Sequence, residues 1–183
     1  MLKSTLQKAL MGAAVAAVFS NPFAAAAQTM TSPAKGALAK GDEKIVIGMA
    51  QGNMAEVAAA KLALANGQSA EVKTFAQQMV DDHTKALADV TALAQAKGVT
   101  LPADVDPKHK AMAAKLAKLK GAKFDQTYMA QAGVNDHKQM HAKLKKDEAA
   151  AKDADVKALA AKMLPTVEQH LHHAMEAPKA AAK

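Results

Sequence analysis

The chain has 183 residues, half of them hydrophobic, with no cysteine, no tryptophan and a formal net charge of +7 at pH 7. Without cysteine there are no disulfides, thiolate metal sites or thiol nucleophiles, so stability must come from packing. Every basic residue is lysine and there is one tyrosine, which argues against nucleic-acid recognition by arginine forks or aromatic stacking.

Residues 1–27 place Lys3 and Lys8 ahead of an apolar run from Ala9 to Phe19, followed by small residues ending Ala25-Ala26-Ala27. That order is the one found in a secretory signal peptide, with cleavage expected after Ala27 or one residue earlier. The apolar run is shorter than the about 20 residues of a bilayer span, and no later stretch is apolar enough, so no transmembrane segment is expected. Removing 27 of 183 residues leaves 156, and losing Lys3 and Lys8 takes the formal charge from +7 to +5. A chain of that size forms one domain, and its expected location is the periplasm or another site of export.

Residues 28–42 carry Thr, Ser, Pro, Gly and Lys without apolar period and read as a flexible leader, with the bundle domain over 43–176. Helix one is predicted from Glu43 to an Asn66-Gly67 stop. Ser69 caps helix two, which ends at Gly98, and the short turn between them predicts an antiparallel hairpin. Asp106 and Pro107 start a short helix reaching about Leu119. With some ten extended residues, that connection spans roughly 40–50 Å, enough to return along the bundle. Helix three, Ala122–Ala150, then runs parallel to helix two, and helix four, Asp153–Glu176, closes a second hairpin. The fold class is therefore all-α: a ferritin-like four-helix bundle with a long crossover. Residues 177–183 read as a disordered tail. Ala70–Ala76 matches Ala154–Ala160, and Val80–His83 echoes Val134–His137, which suggests a duplicated hairpin.

The apolar seam of helix two is Val72, Ala76, Met79, His83, Ala86, Val90 and Leu93; that of helix three is Ala130, Val134, His137, His141 and Leu144. In helix four the seam is Val156, Leu159, Met163, Val167, His170 and Ala174. Glu56, His83, His137 and His170 each fall 13 to 17 residues into their predicted helices, and so at one depth. Three imidazoles and a carboxylate converging from four helices suit a divalent transition metal such as zinc, iron or copper, with His141 as an alternate ligand. The alternative is a metal-free layer in which Glu56 and Asp82 or Asp136 satisfy the histidines. His109 and His172 read as solvated, and His173 as at most a neighbour of the ligands. The methionines at seam positions read as core filler, with copper binding by them a minor option.

Met54-Ala55-Glu56-Val57, the stretch Phe75–His83, Phe124-Asp125 with Tyr128, Asn135-Asp136-His137, and Leu164-Pro165-Thr166 with His170 together resemble the exported bacterial domain-of-unknown-function 4142 family. The resemblance covers about Lys44 to Glu176. It implies a ferritin-like fold and export, often under the label of an outer-membrane protein, and no established activity. The Glu-x-x-His spacing of di-iron bundles occurs nowhere, so ferroxidase chemistry is not expected. Nor are the alternating strands of an integral barrel present, so any envelope association is expected to be peripheral, through lysines. No nucleophile elbow or phosphate loop appears, and no enzyme is expected. Two functions stay open: a metal-binding bundle, and a metal-free interaction or stress-response module with a buried polar histidine layer.

Overall fold

The computed structural model describes residues 37–177. The helices are α1 (Lys40–Asn66), α2 (Ala70–Lys97), α3 (Pro107–Leu116), α4 (Gly121–Tyr128), α5 (His137–Ala150) and α6 (Ala154–Glu176), with a π-helical stretch, Met129–Asp136, joining α4 to α5 in one rod. No strand occurs among the described residues. The expected signal peptide, the leader up to residue 36 and the tail beyond Ala177 lie outside them. Residues 40–42, expected in the leader, are already the first turn of α1.

Local chemistry sets most helix ends. The Ser69 hydroxyl accepts from the Val72 amide at 3.1 Å, and Gly98 closes α2 in the left-handed conformation at φ 70°. Asp106 accepts from the Lys108 and His109 amides ahead of Pro107, and Asp153 from those of Asp155 and Val156. One expectation is revised. α3 stops at Leu116, which is fully buried, rather than near Leu119. α1 ends at Asn66 with Gly67 as its cap, as expected, and Gly67 is extended at φ −66°. Its glycine is needed for space, because a Cβ there would stand 2.6 Å from the Ala63 carbonyl oxygen.

Buried carboxylates pin each hairpin to the other. Asp125, midway along α4, accepts from the Gln68 and Ser69 amides in the α1–α2 turn. Asp42, at the start of α1, accepts from the Lys152 and Asp153 amides in the α5–α6 turn. The α4–α5 rod therefore begins beside the start of α2 and runs parallel to it, as the long crossover requires. The two contacts are related by pseudo-symmetry, which equates α1 with the rod and α2 with α6. Ala70–Ala76 and Ala154–Ala160 are equivalent in this sense, whereas Val80–His83 and Val134–His137 are not.

The two repeats differ by one residue. Asp125 follows Asp42 by 83 positions, but Asp153 follows Ser69 by 84. A π turn is how a helix absorbs one extra residue, and the π stretch lies between those markers. It also rotates the preceding face. Ala130 is exposed and Val134 half-buried, while Tyr128, Ala132, Gly133 and Asp136 are buried.

The core is split in two. One apolar cluster, around Val46, Met49, Val90, Val156 and Val167, lies toward the α5–α6 turn. The other, around Phe75, Met79, Phe124, Tyr128 and Leu116, lies toward the α1–α2 turn. Between them runs a polar layer of Asn53, Glu56, His83, Asp136, His137 and His170, all buried.

Candidate metal centre

Each member of that layer arrives by helical period. Asn53 and Glu56 continue the buried α1 face through Val46, Met49, Ala60 and Ala63. His83 follows Met79 on α2, and His170 follows Val167 on α6. His137 sits where the rod returns from π to α geometry.

His83, His137 and His170 form a triangle with ring centroids 5.5, 5.2 and 5.4 Å apart. One nitrogen from each lies within 4.8 Å of the other two. Hydrogen bonds assign the protons. The Asn53 amide donates to the Met49 carbonyl at 2.8 Å, so its oxygen accepts from His83 Nδ1 at 2.9 Å. His137 Nδ1 donates to the Ala132 carbonyl in the π stretch at 2.8 Å. His170 Nε2 donates to the Asp82 carboxylate at 2.8 Å, and its Nδ1 is buried without a partner. Three lone pairs remain: Nε2 of His83, Nε2 of His137 and Nδ1 of His170.

The electrostatics keep these rings neutral. Burial, then the neighbouring His137 and His170, push the His83 pKa well below its ordinary value. Burial lowers His137 to about 4, opposed by its bond to Ala132 and aided by His170. Burial also lowers His170, with Asp82 acting against it.

Glu56 does not share this geometry. Its Oε1 lies 3.9 Å from His137 Nδ1, the nitrogen facing away from the triangle, and its Oε2 has no partner. Burial, and secondarily Asp136, push its pKa well above the ordinary carboxylate value, which favours the protonated form. His141 is half-buried one turn beyond His137 on α5 and outside the triangle. Of the carboxylates expected beside the imidazoles, Asp82 contacts one, while Asp136 faces Lys108 at 3.4 Å. His172 is exposed and paired with Glu176. His109 is half-buried against Asp106 rather than solvated. His173 packs edge-on to Phe75 and meets Gln78, away from the triangle. Sequence reasoning missed Asn53 and the Ala132 carbonyl. Asn53, one turn before Glu56 on an alanine-rich helix, was a readable signal; the carbonyl depends on the π turn and was not.

Two nitrogens at about 2.0–2.1 Å from a tetrahedral ion are about 3.3–3.4 Å apart. The His83 and His137 Nε2 atoms stand 3.4 Å apart. One nitrogen of His170 lies within 4.8 Å of a nitrogen of each of the other two rings. Each imidazole has its other nitrogen held by an oxygen acceptor, as metal-bound histidines do. A cavity of about 130 Å³ lined by His83, Asn53, Asp82 and Thr166 reaches His83 from the α2–α6 side.

The profile of the family described as Domain of unknown function (DUF4142) matches residues 27–177. No curated protein matches the chain. Among solved structures, a DUF305 fragment from Deinococcus radiodurans superposes with a TM-score of 0.67 at 16% identity, covering 76% of this chain and 96% of that one. At that identity the likeness concerns the fold alone.

Proposed function

The chain belongs to the DUF4142 family, and we propose that it is an exported helical-bundle protein that binds one divalent transition metal through His83, His137 and His170. The observation that carries this reading is the pair of unprotonated Nε2 atoms facing each other at 3.4 Å. Without a cation between them, two buried lone pairs repel and lack a donor; a metal turns both into ligands while the rings stay neutral. Neutral imidazoles suit zinc, copper or iron, and three protein ligands leave one tetrahedral position open. Glu56 stands 3.9 Å from the Nδ1 side of His137 and is not counted among the ligands.

Export is supported by the charged, apolar and small-residue order of residues 1–27. Among the described residues no helix is long and apolar enough to cross a membrane. Intact mass of the secreted species tests the export reading: a chain beginning at or next to Gln28 is expected, and one that keeps Lys3 and Lys8 contradicts it. Cobalt(II) titration tests the metal reading. One equivalent should produce the intense visible absorption of a tetrahedral nitrogen-ligated ion, lost in His137→Ala; only weak octahedral bands would contradict it.

A further inference from the structure

The net charge of this chain has one source. Residues 107–152 contain eleven lysines against four carboxylates, an excess of seven; the rest of the chain has thirteen of each. All eleven lysines are exposed. The carboxylates do not dilute them at the surface: Asp125, Asp136 and Asp147 are buried and Glu148 is half-buried. Asp125 is committed to backbone amides of the α1–α2 turn, and Asp136 and Asp147 meet Lys108 and Lys143.

Those residues occupy one contiguous region. α3 packs against α1 and α4, and a groove of about 560 Å³ between α3 and the rod is lined by Lys108, Lys115 and Lys138 with Gln131 and Asn135. Lys115, Lys118, Lys123, Lys138, Lys145, Lys146 and Lys152 form no ion pair among the described residues. The exposed surfaces of α2 and α6 mix signs instead, with Glu71, Asp81, Asp155 and Glu168 among Lys73, Lys85, Lys157 and Lys162.

We propose that the face formed by α3 and the α4–α5 rod docks the protein onto a phosphate-bearing lipid surface. Lysine is a compact, flexible point charge suited to a fluid array of headgroup phosphates, and it lacks the arginine fork that fixes a nucleic-acid register. The aromatic rings that would stack bases are buried: Phe75, Phe124 and Tyr128 all lie in the core. No apolar wedge accompanies the lysines, since Met175 on α6 is the one exposed large hydrophobic residue among those described. Attachment is therefore electrostatic and reversible by salt. The proposal rests on export for the surface the chain would meet, and is independent of the metal site.

The test is vesicle flotation with the protein as the cell delivers it, using phosphatidylcholine alone and phosphatidylcholine mixed with phosphatidylglycerol. Binding is expected to the mixed vesicles only, and lost near 1 M salt, where the Debye length is about 3 Å. Each lysine near the surface is worth about fivefold. Replacing Lys115, Lys118, Lys138 and Lys145 by Gln should lower partitioning by about 600-fold. The same change at Lys73, Lys85, Lys157 and Lys162 should have little effect, with helicity unchanged in both. Failure to bind the mixed vesicles at low salt, or equal loss from both sets of variants, would overturn the proposal. So would displacement by duplex DNA at a lower phosphate concentration than the lipid presents. Intact mass reports on export separately.

Discussion

His83 Nε2 and His137 Nε2 stand 3.4 Å apart in the middle of the bundle, each with its Nδ1 proton committed to a carbonyl oxygen. Neither ring can donate to the other. The two rings are thus neutral bases whose lone pairs face each other, and the responses of the layer to acid, mutation and metal follow from that.

Metal-free protein should lose stability as pH falls. The folded His137 pKa is about 4, against an ordinary 6.5, and His83 and His170 are lowered too. Between those values the unfolded chain binds more protons, so unfolding becomes easier toward acid. His137 alone corresponds to about 3 kcal/mol across that window. Glu56, with its raised pKa, binds its proton more tightly when folded and works in the opposite direction above pH 4.5. Urea unfolding with chelator from pH 7 to 4 should show a falling midpoint; a flat or rising one would mean that the rings are charged or solvated.

Glu56→Gln should be mild. Burial shifts Glu56 toward the protonated form, which is nearly isosteric with an amide, so the change should stay within about 1 kcal/mol, and metal affinity should fall far less than on loss of a histidine. Calorimetric titration checks both. A variant as metal-blind as His83→Ala would make Glu56 a direct ligand.

Asp42→Ala and Asp125→Ala should each destabilise the fold by about 2–3 kcal/mol, because each leaves two backbone amides in a turn without their acceptor. The two sites lie at opposite ends of the bundle, so the double variant should be additive within about 0.5 kcal/mol. Chemical denaturation measures this; strong non-additivity would show that the two hairpins are not separately pinned.

Most of the architecture was legible because it rests on short-range chemistry. Ser69, Gly98, Asp106-Pro107 and Asp153 mark helix ends in any context. The seam of α6 is buried at every position that its period names. The seam of helix three was legible only after His137, since the π stretch adds one residue and shifts the phase before it. The site was legible as three histidines at one depth. Which side of each ring faces the others was not: that depends on Asn53, Asp82 and the Ala132 carbonyl, which come from three separate elements.

The most direct test of the metal site is the melting temperature of chelator-stripped protein with added zinc, copper(II) or iron(II), read beside His83→Ala, His137→Ala, His170→Ala and His141→Ala. At about 100 times the dissociation constant a bound ion stabilises the fold by about 2.7 kcal/mol. The account predicts that shift in wild type and in His141→Ala, and its loss in each of the other three. No shift with any metal, or an equal shift in all five proteins, would contradict it and leave the histidines as a buried polar layer.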